Sequence, residues 1–131
     1  MRRIEGEQVL MRIFIGEHDR WEWRPLYVAL VGLFRSKGLA GATVLKGAAG
    51  FGPDSILHTA GIWKFSADLP IVIECVETQE RIDAILPELD TMVSGGLITL
   101  ERVNVIMYRP HETNEGRPDM TTSASYGESP R

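Results

Sequence analysis

The chain has 131 residues, of which 44% are hydrophobic, and this predicts one domain with a single core of ordinary size. Its net charge of −4 provides no basic field for nucleic acid, and the single Cys75 excludes an internal disulfide framework. We therefore expect a cytoplasmic protein that does not bind nucleic acid. Residues 1–7, a short lead, turn acidic before any apolar run, so a secretion signal is not expected. No apolar run approaches the length of a membrane span, so none is expected either.

The first half of the chain carries the pattern of one strand followed by one helix. Between residues 8 and 17, hydrophobic side chains occupy every second position, which is typical of a strand with one buried face. A helix is predicted from Pro25, because proline is favoured at the first helical position and hydrophobic residues then recur at helical spacing. Gly38 is expected to end this helix.

A glycine-rich segment divides the middle of the chain. Residues 42–45 predict a second strand that leads into this segment, and residues 61–65 and 70–76 predict strand structure after it. Residues 47–60 are therefore expected to form the loop of a long hairpin.

The last part of the sequence predicts a second helix and a closing strand. Thr78 is a suitable N-cap, and hydrophobic residues share one helical stripe from there to Gly95. Pro87 lies within that stripe, where its missing N–H should kink the helix or delay its start. Residues 97–108 predict the last strand, with a bend near Glu101-Arg102.

The order βαββαβ predicts an α+β protein with a ferredoxin-like antiparallel sheet and two helices on one face. Strand 70–76 is nevertheless apolar on both faces, and such a sheet should not be left open to water. A closed homo-oligomer is therefore expected. Because the first and third strands are neighbours in this topology, Arg12 and Glu74 are candidates for a cross-strand pair on the uncovered face.

The domain is expected to end near residue 110. From His111 onward the composition becomes polar and rich in glycine and proline, with only Met120 and Tyr126 as large apolar residues. Because so little apolar surface could offset the entropy of ordering, we predict that residues 111–131 are disordered. A peptide that docks on a partner is the alternative interpretation.

The glycine-rich segment is the first candidate ligand site. Glycine allows successive backbone N–H groups to point inward, so a loop containing Gly47, Gly50, Phe51 and Gly52 could hold a phosphate with Lys46 nearby. The alternatives are a tight hairpin that requires positive φ and a solvated lysine at a strand end.

A second group of candidates follows the first strand. Glu17 and Asp19 could bind a cation or a ligand hydroxyl, although negative charge near a helix start is equally explained by the helix dipole. His58 could join them in a small hydrolase or lyase-like enzyme, but nothing in the sequence indicates that these three groups converge. No metal-ligand spacing, catalytic triad or P-loop is present, and Cys75 is expected to be a core or interface residue.

The sequence resembles the PII signalling proteins in its βαββαβ order, in Gly50-Phe51-Gly52 within a long hairpin loop, in residues 69–76 and in the glycines before the last strand. Residues 14–17, 38–47 and 68–70 are more closely similar to an uncharacterised bacterial family of the PII-like superfamily. This resemblance covers about residues 8–109. It implies a homotrimer with adenine nucleotides in the clefts between subunits and a hairpin loop that reports occupancy to a partner such as a membrane transporter or channel.

The resemblance also implies roles for individual residues. Gly50, Phe51 and Gly52 match the loop base near the nucleotide phosphates, Gly95 matches a glycine of the second phosphate loop, and Arg109 matches an arginine that reaches the phosphates across the cleft. AMP, ADP or ATP would be the ligand, with Mg²⁺ as an ion that could accompany the phosphates.

Three positions depart from the PII pattern, since Pro53, Gly96 and Met107 stand where PII proteins place cationic side chains. Because charge-assisted bonds to phosphate are the strong ones, a mono- or diphosphate, or a different anion, is favoured over a triphosphate. An enzyme acting on a nucleotide in the same cleft, and a trimer that serves metal tolerance or as a scaffold, are the alternatives.

Overall fold

A computed structural model describes residues 4–51 and 69–110 of the chain. The elements are six strands and two helices, in the order β1 (Gly6–Gly16), β2 (Arg20–Trp21), β3 (Arg24–Pro25), α1 (Leu26–Ser36), β4 (Thr43–Lys46), β5 (Pro70–Glu77), α2 (Gln79–Met92) and β6 (Leu97–Val105). The expected strand at 61–65 and the predicted tail lie outside the described residues.

Four of the strands form one antiparallel sheet in the order β4-β5-β1-β6. Ile13 of β1 pairs with Ile73 of β5 on one side and with Ile98 of β6 on the other. The β1–β6 pairs continue without a bulge past Glu101, and β6 ends at Val105 rather than at the predicted residue 108. With two helices on an antiparallel sheet, the predicted ferredoxin-like fold is confirmed.

The hydrophobic core lies between the sheet and the helices. Every second residue of β1 from Val9 to Ile15 is buried, as the alternation in the sequence predicted. Each such side chain contributes on the order of 1.5–3 kcal/mol by leaving water. The core cluster consists of Val9, Met11, Ile13, Ile15, Leu26, Leu30, Phe34, Ile71, Ile73, Cys75, Ile82, Ile85 and Leu89.

Both predicted helices are present and run antiparallel to each other. Pro25 precedes the first residue of α1, and the Oγ1 atom of Thr78 accepts a hydrogen bond from the backbone N–H of Arg81 (3.4 Å) at the start of α2. Helix α2 begins at Gln79, directly after its cap, and continues through Pro87. Pro87 therefore does not delay the start of the helix. No helix among the described residues is long and apolar enough to cross a membrane.

A small hairpin between β1 and α1 was not predicted. Its strands β2 and β3 have two residues each, and Glu22 in the turn has φ of 56°. The backbone N–H of Leu26 donates to the carbonyl of Asp19 (2.8 Å), which fixes the first residue of α1 against the end of β1. The hairpin holds Trp21 against the core, whereas Trp23 is 77% exposed.

The face of the sheet away from the helices is called the open face here. At its centre, Arg12 donates through Nε to Glu74 (3.1 Å) and through Nη1 to Glu101 (3.1 Å), so the predicted Arg12–Glu74 pair is confirmed. Large hydrophobic residues surround this pair, and Leu45 and Leu97 are 48% and 57% exposed. The open face is thus apolar at its edges and charged at its centre.

Candidate functional site

Two predicted phosphate-binding segments lie at the same end of the sheet. Gly16 pairs with Pro70, and Phe14 pairs with Leu97, so β1 ends where β5 and β6 begin. Strand β4 also ends here, with Lys46 opposite Ile71. The glycine-rich loop after β4 and the glycines before β6 therefore meet at what we call the Gly16 end.

The base of the glycine-rich loop folds back over the ring of Pro70. The N–H of Gly47 donates to the carbonyl of Pro70 (2.7 Å), and a Cβ atom at Gly47 would lie 2.5 Å from Pro70 Cγ. A Cβ atom at Gly50 would lie 3.1 Å from the same Cγ. Close packing on Pro70 therefore accounts for glycine at position 47 and leaves only tight space at position 50, and the N–H of Gly47 is already hydrogen-bonded.

The exposed end of this loop base is Phe51. Its side chain is 79% exposed. Phe51 is also the last residue that the structure describes before residue 52. An aromatic ring left in solvent beside a glycine loop is free to stack on a flat ligand or to pack on another copy of the chain. Gly52 and His58, which the sequence also predicted for the site, lie outside the described residues.

The two glycines before β6 differ in their surroundings. A Cβ atom at Gly96 would lie 2.6 Å from the carbonyl oxygen of Phe14, so the close approach of β1 requires glycine there. A Cβ atom at Gly95 would meet no heavy atom within 4 Å. Packing thus explains Gly96, whereas Gly95 borders open space at the Gly16 end.

The cationic group of Lys46 is already paired. Its Nζ donates to Glu17 Oε1 (2.6 Å), which links the end of β4 to the end of β1. The hydrogen bond to Lys46 is the main cause that lowers the pKa of Glu17 below its ordinary value. A phosphate that approached Lys46 would therefore compete with a carboxylate.

Asp19 serves the local chain path. Its Oδ2 accepts the N–H of Gly16 (2.9 Å) while its carbonyl accepts the N–H of Leu26. A shallow cavity of about 330 Å³ lies against Glu17, Asp19 and Tyr27. Across the described ranges 4–51 and 69–110, no three His, Cys, Asp or Glu side chains are grouped so that they could hold a metal ion.

Arg109 lies at the other end of the sheet, which we call the Glu77 end. The hydroxyl of Tyr108 donates to the carbonyl of Ala40 (3.4 Å), and the N–H of Ala40 donates to Glu77 Oε1 (2.9 Å). Strand β6 rises by about 3.3 Å per residue, so its two ends are roughly 26 Å apart. Within one subunit, Arg109 and the glycine segments therefore do not converge.

Glu77 is a structurally important residue that the sequence did not single out. It is fully buried, and besides the N–H of Ala40 it accepts the N–H of Thr78 (2.7 Å). Arg81 Nη1 donates to the carbonyl of Gly38 (3.0 Å) close by. Together these bonds hold the loop between α1 and β4. The alternation of β5 already placed Glu77 on the core face, and that was the available signal.

Cys75 occupies the core, as the sequence predicted. Its side chain is 3% exposed, and burial raises the pKa of the thiol to about 12. A thiol that stays protonated at neutral pH is not a nucleophile. Cys75 therefore contributes packing and no chemistry.

Sequence comparison places the chain among known relatives. The model of the family described as "Uncharacterized ACR, COG1993" (DUF190) matches residues 8–105. A UPF0166 protein of Aquifex aeolicus (strain VF5) is 36% identical over 97 residues, which are 74% of this chain and 91% of the relative. The UPF0166 protein MJ1524 of Methanocaldococcus jannaschii is 31% identical over 104 residues, which are 79% of this chain and 95% of the relative.

Structure comparison identifies the fold. A structure of CPII bound to ADP and bicarbonate, from Thiomonas intermedia K12, superposes with a TM-score of 0.55 at 13% identity, covering 77% of this chain and 90% of that one. A structure described as a PII-like signalling protein of Thermus thermophilus gives 0.54 at 20% identity, covering 79% and 94%. The chain therefore belongs to the DUF190 (UPF0166) family, and it has the PII-like ferredoxin-like fold.

Proposed function

We propose that this chain is the subunit of a homotrimeric PII-like regulatory protein that binds an adenine nucleotide in the clefts between subunits. Ligand binding would change the hairpin loop 47–60 and thereby regulate a partner such as a membrane transporter or channel. A ligand can do this only if it binds one loop state more tightly than the other.

The observation that carries this proposal is the separation of the predicted site residues. Gly50 and Gly95 lie at the Gly16 end, whereas Arg109 follows β6 at the Glu77 end. These groups can act on one ligand only if the Glu77 end of one copy approaches the Gly16 end of another. The open face supplies a reason for copies to associate, because its apolar edges have no cover within the described part of the chain.

The cations available to the proposed cleft favour a ligand with few phosphates. Lys46 is paired with Glu17, and Pro53, Gly96 and Met107 supply none of the cations of the PII pattern. One arginine from a neighbouring copy would then be the main cationic contact, which suits a mono- or diphosphate better than a triphosphate. The ADP in the CPII structure makes ADP the first ligand to test.

The test combines light scattering with calorimetric titration of AMP, ADP, ATP and cyclic AMP. We expect a trimer and saturable binding of AMP or ADP. Arg109→Ala should weaken binding about tenfold or more, since a charged hydrogen bond is lost. Arg35→Ala, which removes an exposed arginine from α1, is the matched control and should bind as the wild type does.

Two results would overturn the proposal in different ways. A monodisperse single copy at micromolar concentration would remove the clefts, while a trimer that gives no heat with any of the four nucleotides would leave the scaffold alternative. The enzyme alternative gains no support from the described residues, because Glu17 and Asp19 are both engaged in local bonds.

A further inference from the structure

A cavity of about 690 Å³ opens to solvent between the two helices. It is lined by Gly32 and Leu33 of α1, by Met92 of α2, and by Trp21 and Arg24 of the β2–β3 hairpin. This volume is within the range of about 300–1,000 Å³ that small-molecule sites occupy. None of these residues belongs to the glycine segments described above.

Arg24 supplies an uncompensated positive charge in the wall of this cavity. Its side chain is half-buried, and its Nη1 lies 4.0 Å from the position that a Cβ atom of Gly32 would occupy. A Cβ atom at position 32 would therefore be in ordinary van der Waals contact with the guanidinium group, so Gly32 borders this group without being required by it. No ion pair within residues 4–51 and 69–110 involves Arg24.

The acidic residue of the cavity lining is already neutralised. Glu88 lines the cavity, but its carboxylate accepts from Lys37 Nζ (2.9 Å), just beyond the end of α1. The other lining residues apart from Arg24 are uncharged. Among the described residues, the cavity thus has one unpaired cation, one neutral ion pair and mainly apolar walls.

We infer that this cavity binds a small amphiphilic anion, with its carboxylate on Arg24 and its apolar body along Leu33 and Met92. A single half-buried cation matches one anionic group, and the apolar wall gains from covering a chain of methylene groups. An acidic peptide fits less well, because further carboxylates would find no cation in the cavity. This site is separate from the proposed nucleotide cleft and does not depend on it.

The test uses decanoate as the probe, measured by calorimetry and by displacement of the fluorescent dye anilinonaphthalene sulfonate from the intact chain. Wild type should bind one decanoate per chain. Butyrate has the same carboxylate but six fewer methylene groups, so it should bind at least about a hundredfold more weakly. An unchanged nucleotide titration in the variants below would separate this site from the cleft.

Two variants address the two parts of the site. Arg24→Gln should weaken decanoate about tenfold, the loss expected for one charge-assisted hydrogen bond. Gly32→Leu should abolish binding by filling the cavity, and it should fold well because leucine favours a helix more than glycine does. The control Arg35→Gln removes an exposed charge from α1, the helix that also carries Gly32, and should bind decanoate as the wild type does.

The inference would be wrong if decanoate did not bind, or if both variants bound it like the wild type. It would also be wrong if an acidic amphipathic peptide displaced the dye, decanoate did not, and Arg24→Gln prevented the displacement by the peptide. In that case the cavity would be a peptide-docking surface.

Discussion

The two faces of the sheet are built from the same strands but differ in how completely their side chains are buried. On the helix face, Met11 and Ile13 have no exposure and Ile73 only 1%, because α1 and α2 cover them. On the open face, the residues between them on β1 and β5 are only half-buried, and Arg12 with its carboxylate partners occupies the centre. The helix face is covered by α1 and α2, whereas nothing in ranges 4–51 and 69–110 covers the open face.

This difference separates folding from assembly. The helix face is close-packed, so substitutions there should change the free energy of unfolding of the subunit. The open face has the ion pairs of Arg12 at its centre and apolar side chains at its edges, and this composition is suited to contact with other copies. Substitutions there should change association while the subunit keeps its fold.

Substitutions on the helix face should cause the greatest loss of stability. Leu30 is fully buried, so Leu30→Ala should lower the free energy of unfolding by about 2–5 kcal/mol through lost burial and a residual cavity. Denaturant unfolding at one fixed protein concentration measures this. Val28→Ala on the same helix, where valine is 43% exposed, should cost much less. Equal losses would contradict the assignment of this helix face to the core.

The next effect sharpens the role of the open face. Val72 pairs with Phe14 and Leu45 there, so Val72→Asp should place a charge among apolar neighbours and reduce the molar mass in light scattering to that of one chain. Circular dichroism should still show the folded subunit. Val28→Asp, on the outer side of α1, should retain the assembly. A Val72→Asp variant with unchanged mass would show that this face is not an interface.

A smaller effect concerns the Glu77 end. Glu77→Gln keeps one acceptor but presents an N–H₂ group to a backbone donor, so it should cost about 1–3 kcal/mol of unfolding free energy. Hydrogen exchange at the Ala40 amide should accelerate in particular. Glu80→Gln, in the exposed first turn of α2, is the control. Unchanged protection of Ala40 would mean that the carboxylate does not hold this loop.

The smallest effect comes from the exposed pair at the Gly16 end. Because Lys46 lowers the pKa of Glu17 in the folded state, this pair contributes stability that is present above the ordinary pKa of 4.5 and is lost as the pH falls through the folded value. The melting temperature of the wild type should fall between pH 6 and pH 3, and in Lys46→Met this fall should be slightly smaller. Thermal unfolding at several pH values in this range measures the difference. An identical pH profile in that variant would exclude the pair as a contributor.

Much of the fold was predictable because it follows from local periodicity. The alternation in β1 and the helical stripes of α1 and α2 each reflect one buried face, so sequence spacing alone reveals them. The β2–β3 hairpin could not be predicted in this way, since two-residue strands have no periodicity and Glu22 is not a residue that signals positive φ. The Arg12–Glu74 pair followed from topology, whereas Glu101 required the register of β6.

The candidate site was predictable only as a set of residue types. Glycines at 47 and 50 suggested phosphate binding, and Gly96 stood where the PII pattern has a cation, but their contacts with Pro70 and Phe14 depend on tertiary approach, which spacing does not encode. The same holds for Lys46, whose partner Glu17 is distant in sequence. Gly95 and Arg109 keep the open surroundings that a ligand contact needs, and they lie on different ends of the subunit.

The most direct measurement is therefore a mixing experiment on nucleotide binding. Gly95→Asp and Arg109→Ala, each assayed alone with ADP, should bind weakly. Unfolding and refolding the two variants together should restore part of the binding, because some clefts would combine an intact glycine segment from one chain with Arg109 from another. Mixed assemblies, verified by mass, that bind no better than either variant alone would contradict a site shared between copies.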